Sequence, residues 1–187
     1  MDSLLTAFLA AALGEWGDKT QLLAALLAAR YRRPAPILAA IALAAIGNSL
    51  IAAFAGTLIH GTITPRAASL LLALALVFAG VAGLIGSEPK DRPGWRLGPF
   101  LATLILFTLA EWGDKTQFVT VAIAARFNAL VLPAAGAAAG IIVSSLPAVA
   151  LGPRLDKAVP LKAIRIALAC LFLFAGLWVG VSAMRLV

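Results

Sequence analysis

The chain has 187 residues, of which 63% are hydrophobic and only 12% charged, and its mean hydropathy is +1.03. No soluble core of this size hides that much apolar surface, so a water-soluble globular domain is excluded and lipid is the expected solvent. The net charge of +7 fits contact with anionic lipid headgroups better than nucleic-acid binding, and no nucleic-acid partner is expected.

Six segments meet the requirement of about 20 apolar residues for a helix that crosses ~30 Å of hydrocarbon. The first, 4–29, follows no basic run and is too long for the apolar region of a signal peptide, so it is expected to be retained; it contains "EWGDKTQ" at 15–21. The second, 36–59, follows "RYRRPAP" and carries Asn48 and Ser49. The third, 66–86, follows "HGTITPR", which begins with His60, the one histidine, read as an interfacial residue. The fourth, 98–125, follows "SEPKDRPGWR" and repeats "EWGDKTQ" at 111–117. The fifth, 130–151, follows "ARFN" and carries Ser144 and Ser145. The sixth, 161–184, follows "GPRLDKAVP" and contains Cys170, read as packing because a lone cysteine offers neither a disulfide nor a thiolate metal site. "FAGVAG" at 78–83 and Gly176 with Gly180 read as surfaces for close helix packing. The expected fold is an all-α membrane protein of six transmembrane helices.

The basic residues orient it. Apart from Lys19 and Lys115, ten fall in the first, third and fifth loops or at their helix ends, against Arg66, Arg126 and Arg185 on the other side. The positive-inside rule then makes the odd-numbered loops cytoplasmic and puts both termini outside.

An offset of 96 aligns the two "EWGDKTQ" copies, "AAR" at 28 with "AAR" at 124, "NSL" at 48 with "SSL" at 144, and "FAG" at 78 with "FAG" at 174. The chain thus reads as a duplicated three-helix unit, 1–87 and 98–187, joined by a short cytoplasmic linker at 88–97. Because three is odd, the second copy enters the membrane from the opposite face, the inverted repeat that secondary transporters use.

On a helix at ~100° per residue, Glu15, Asp18 and Lys19 stand at i, i+3 and i+4 on one side, and Glu111, Asp114 and Lys115 repeat this. A charge at the bilayer centre costs at least ~2.5 kcal/mol, so such groups are expected to face one another or a wet cavity and to be functional. Gly17 and Gly113 admit a close backbone or a local distortion of the helix. The donors are hard oxygens: Glu15, Asp18, Glu111 and Asp114 first, with Thr20, Gln21, Thr116, Gln117, Asn48, Ser49, Ser144 and Ser145 as supporting or pathway groups. They suit Mn²⁺, Ca²⁺ or Mg²⁺ rather than a metal that seeks imidazole or thiolate. Lys19 and Lys115 read as charge balance, and the hydroxyl and amide groups of the second and fifth segments serve equally as interhelical hydrogen-bonding residues.

These residues carry a resemblance. Two copies of "EWGDKTQ", on the first and fourth segments, are similar to the E-x-G-D-[KR]-[TS] signature of the GDT-type cation/proton exchangers, the family of the Golgi transmembrane Mn²⁺/Ca²⁺ transporter and of bacterial manganese exporters. The resemblance covers essentially the whole chain. It implies exchange of Mn²⁺ or Ca²⁺ for protons, with Glu15, Asp18, Glu111 and Asp114 as the cation site. The metal is then a substrate and not a cofactor, the setting is a bacterial cell membrane, and the protein is not an enzyme. An intramembrane aspartyl protease also needs two facing aspartates, but a lysine beside each and two additional glutamates argue against it. A transporter of organic cations asks for more aromatic lining than 7% aromatic residues suggest.

Overall fold

The computed structural model describes residues 1–86 and 97–184. "SEPKDRPGWR", the expected linker up to residue 96, lies outside the described residues, as does Arg185. Among the described residues the chain is all helical: α1 (Asp2–Gly14), α2 (Lys19–Tyr31), α3 (Pro34–His60), α4 (Pro65–Ile85), α5 (Pro99–Glu111), α6 (Lys115–Phe127), α7 (Val131–Leu151), the short α8 (Leu155–Ala158) and α9 (Leu161–Met184). Alanine- and leucine-rich stretches favour helix throughout. Proline opens α3, α4 and α5 in the first turn, where its missing N–H costs nothing. The Thr64 hydroxyl caps α4 by accepting from the Ala67 N–H at 3.2 Å. Helices α2 and α6 end alike, on residues 96 apart in the left-handed region, Arg32 at φ 52° and Asn128 at φ 47°.

Four spans are long and apolar enough to cross a membrane: Pro34–His60, Pro65–Ile85, Val131–Arg154 and Leu161–Met184. With exposed leucines and phenylalanines covering their outer faces, among them Phe54, Leu74, Phe174 and Leu177, they make the chain an integral membrane protein. The first and fourth segments are not the continuous helices expected from the sequence. Each is a pair of 13-residue helices, α1 with α2 and α5 with α6, interrupted at the motif.

Each half packs into the other. Helix α1 lies on α7 as α5 lies on α3, and α3 meets α6 as α7 meets α2, while α4 runs along α9. Small residues allow these approaches: a Cβ on Gly136 would come within 2.2 Å of the Leu4 carbonyl oxygen, and one on Gly140 within 2.6 Å of that of Phe8. The glycines read as packing residues in "FAGVAG" and the last segment behave so at Gly80, where a Cβ would stand 2.6 Å from Leu173, and at Gly176, 2.9 Å from the Ala73 carbonyl oxygen. Cys170 corrects the reading made of it: it is exposed on the outer face of α9 and packs no core. His60 ends α3, and its Nδ1 lies 2.6 Å from the Ala125 carbonyl oxygen of α6.

Gly136→Leu is expected to lower the melting temperature of the detergent-solubilised protein sharply, because backbone cannot yield to the new side chain and overpacking costs about 1–3 kcal/mol or more. Gly47→Leu, where a Cβ meets nothing within 4 Å, is expected to leave it unchanged or raise it. Comparison of the two thermal melts checks both.

Candidate cation site

Both copies of the motif fold the same way. Helix α1 runs out at Gly14, Gly17 takes φ +70°, and Asp18 is extended before α2 begins at Lys19. In the second copy α5 ends at Glu111, Gly113 takes φ +72°, and Asp114 is extended before α6. Glycine is needed at these two positions because a left-handed conformation strains any residue with a Cβ. The glutamine three residues beyond each aspartate fixes the turn: the Gly17 N–H donates to Gln21 Oε1 at 2.9 Å and the Gly113 N–H to Gln117 Oε1 at 2.7 Å. A glutamine at the third helical position thus reaches back past the helix start, one residue further than the N-cap N–H that a capping box takes. The expectation that Glu15, Asp18 and Lys19 share one side of a continuous helix is therefore corrected. Glutamate closes one helix, aspartate precedes the next, and both carboxylates gather at the break. There the positive end of α2 or α6 favours negative charge.

The charges pair across the halves. Lys19 Nζ lies 2.8 Å from Asp114 Oδ1, and Lys115 Nζ is bonded to Asp18 Oδ2. Each lysine thus answers the aspartate of the other motif. Glu15, 1% exposed, accepts from the Thr20 hydroxyl of its own motif and from the Thr116 hydroxyl of the other. One carboxylate oxygen from each of Glu15, Asp18 and Asp114 lies within 4.8 Å of the other two. Oxygens around a divalent ion held at ~2.3–2.6 Å are separated by about that much or less, so these three can share one ion. Glu111 is equally buried but stands outside this trio, and among the described residues its Oε1 has no hydrogen-bond partner; nor has Asp114 Oδ2.

The supporting residues divide. Gln21 also donates through Nε2 to the Ser144 carbonyl oxygen at 2.8 Å, which fastens α2 to α7. The Ser144 and Ser145 hydroxyls both turn back to the Ile141 carbonyl oxygen, at 2.9 and 2.8 Å, within their own helix. Asn48 Nδ2 donates to the Thr108 carbonyl oxygen of α5 at 3.4 Å, the interhelical role that the sequence left open, and Ser49 is buried beside it on α3.

The two breaks have different surroundings despite identical letters. A Cβ on Gly17 would meet the Leu161 carbonyl oxygen at 2.8 Å and Arg165 Cβ at 3.1 Å, whereas one on Gly113 meets nothing within 4 Å. Trp16 packs against the core, while Trp112 is 60% exposed and borders a cavity of about 620 Å³ together with Asp114 and Gln117. Arg165 was missed from the sequence as part of this neighbourhood. The signal was a charge inside an apolar segment, but at the matching position 96 residues earlier stands Ser69, so the repeat gave no guide.

Matched breaks in two apolar helices of an integral membrane protein, lined by buried acids that pair across the halves, are the arrangement of a membrane transporter. The sequence model of the divalent cation/proton antiporter GDT1 matches residues 3–91 and 99–186. Over 181 residues the chain is 38% identical to a protein of Vibrio cholerae serotype O1 named "Putative manganese exporter", a match covering 95% of this chain and 90% of that one. The chain belongs to the GDT1 family of divalent cation/proton antiporters. No solved structure matches it.

The crossed pairs are expected to differ in strength. The Lys115 and Asp18 side chains are each 6% exposed, whereas Lys19 is 27% exposed. Lys115→Gln should destabilise the protein by on the order of 3 kcal/mol, since it leaves a buried charge unanswered. Lys19→Gln should cost roughly 1 kcal/mol or less. Adding Asp18→Asn to Lys115→Gln should recover part of the loss, as read by chemical unfolding in detergent; equal losses in the two single variants would remove the ranking.

Proposed function

We propose that the protein is a six-helix inverted repeat that exchanges Mn²⁺ or Ca²⁺ for protons and exports the metal from the cytoplasm. The observation that carries this is the convergence of Glu15, Asp18 and Asp114, acids from both motifs, on a space the size of one ion. Glu111 is the fourth acid of the site in this reading, and Thr20, Thr116, Gln21, Gln117, Asn48, Ser49, Ser144 and Ser145 support or border the pathway. The name of the Vibrio relative favours manganese as the cargo.

The repeat is supported by the way equivalent helices exchange partners: α1 on α7 and α5 on α3, α3 on α6 and α7 on α2. In this reading α1 and α2 together make one crossing, as do α5 and α6, and 1–87 and 98–187 are oppositely oriented units. Broken helices whose half-helix ends face the ion are the usual device of such transporters.

Coupling follows from charge. Four acids and two lysines leave the pair of motifs with a formal charge of −2. In a low-dielectric bundle that charge is unfavourable when unmatched, so either one divalent cation or protons are taken up by the same oxygens. Competition between the two, combined with alternating access, is antiport. With protons more abundant outside, their entry drives the metal out, and two protons per cation is the charge-neutral ratio. An aspartyl protease is disfavoured, because each aspartate is paired with a lysine of the other motif, whereas a catalytic dyad sets its two aspartates against each other.

In proteoliposomes, Mn²⁺ uptake is expected to require an opposing pH gradient, and apparent cation affinity is expected to weaken as pH falls. Glu15→Gln, Asp18→Asn, Glu111→Gln and Asp114→Asn should each reduce flux at least tenfold, with Ser49→Ala and Ser145→Ala milder. Flux that persists unchanged when an ionophore collapses the pH gradient at fixed membrane potential would reject proton exchange in favour of a channel or uniporter.

Orientation is tested separately. In a Cys170→Ser background, Arg33→Cys is expected to be labelled from the cytoplasm only and Thr62→Cys from outside only. The opposite pattern would invert the topology and the direction of export with it.

A further inference from the structure

The cavity beside the second break is larger than a metal ion needs and has the wrong walls for one. Its volume of about 620 Å³ lies between α3, α4 and α6, and its lining includes Ile51, Leu74, Phe78, Trp112, Asp114 and Phe118. Phe78 and Phe118 meet edge to face with centroids 5.8 Å apart. Sequence composition suggested too few aromatic residues for an organic-cation site, yet the fold collects three of them here, from α4, α6 and the break itself. At the first break the start of α9 covers Gly17, whereas among the described residues nothing stands within 4 Å of a Cβ on Gly113.

Two polar side chains, Asp114 and Gln117, stand in this apolar wall, and Gln117 Oε1 is taken up by the Gly113 N–H. Asp114 uses Oδ1 to meet Lys19, and its Oδ2 is buried without a partner among the described residues. An acyl chain filling the cavity would offer the Asp114 carboxylate, which lines it, no polar partner. A metal ion reaching Asp114 through this space would lose hydration to apolar walls that return no ligand. A weakly hydrated cation with apolar arms satisfies both requirements: its charge faces the carboxylate and the aromatic faces, and its arms fill the rest. The volume falls within the ~300–1,000 Å³ usual for such ligands.

We propose that this cavity binds lipophilic monocations of the quaternary ammonium or aryl phosphonium class, with the positive centre against Asp114 and the apolar arms against Trp112, Phe78 and Phe118. The proposal does not depend on what the protein transports, and binding alone tests it. Tetraphenylphosphonium is expected to bind the purified, detergent-solubilised full chain saturably, one per chain, in equilibrium dialysis. Tetraphenylborate, of the same shape and opposite charge, is expected not to. Ala55→Phe, which fills the cavity without touching an acid, and Trp112→Ala should each weaken phosphonium binding at least tenfold while melting like the parent protein. Asp114→Asn should do the same. Absence of saturable phosphonium binding to the parent would overturn the proposal. So would equal binding of the borate, the mark of a crevice for lipid, or undiminished binding in Ala55→Phe and Trp112→Ala proteins of parental stability.

Discussion

Placing four carboxylates and two ammonium groups inside a lipid-facing bundle is the constraint that organises this protein. Burial presses each of them to find an answer in another part of the chain, and most do. The solution is reciprocal. Lysine of one motif meets aspartate of the other, and threonines of both motifs converge on Glu15. The interface between the halves is accordingly electrostatic at its centre and closely packed around it, where glycines let helix backbones approach.

The need to bring these groups together explains why the helices break. On a straight helix each motif would project its charges over more than a turn. Interrupting it at Gly17 and Gly113 lets the chain place a glutamate at one helix end and an aspartate at the next start. The price is a turn whose backbone groups need partners, and Gln21 and Gln117 supply them.

Much of this was legible in the sequence. The apolar runs gave the ends of α3, α4, α7 and α9 to within a few residues, since chain composition reports the solvent directly. The duplicated motif pointed to the candidate site, where three of its four acids gather. The break was not legible with the same force, because an isolated glycine in a run of leucine and alanine is tolerated in a helix at a cost of only ~1 kcal/mol. Nor did the letters foretell the crossing of the ion pairs, since a lysine next to an aspartate suggests a local pair. The inequality of Glu15 and Glu111 was out of reach altogether. It arises among identical motifs in different surroundings, with Arg165 and Leu161 near one break and open space beside the other.

The crossed lysines bear on how such a chain came to exist. A three-helix unit holding one motif has its lysine's counterpart in another unit, so it is electrostatically incomplete alone. If the halves are the inverted repeat proposed above, a second copy of the same unit supplies the identical counterpart, because the motif that gives is also the motif that receives. Two separate polypeptides from one short gene would therefore complete each other, and joining them end to end adds covalent linkage to a partnership whose chemistry was already self-matching. On that reading, joined copies would be free to diverge wherever the pairing is not involved, as at Ser69 and Arg165, while the seven letters at the centre remain the same in both.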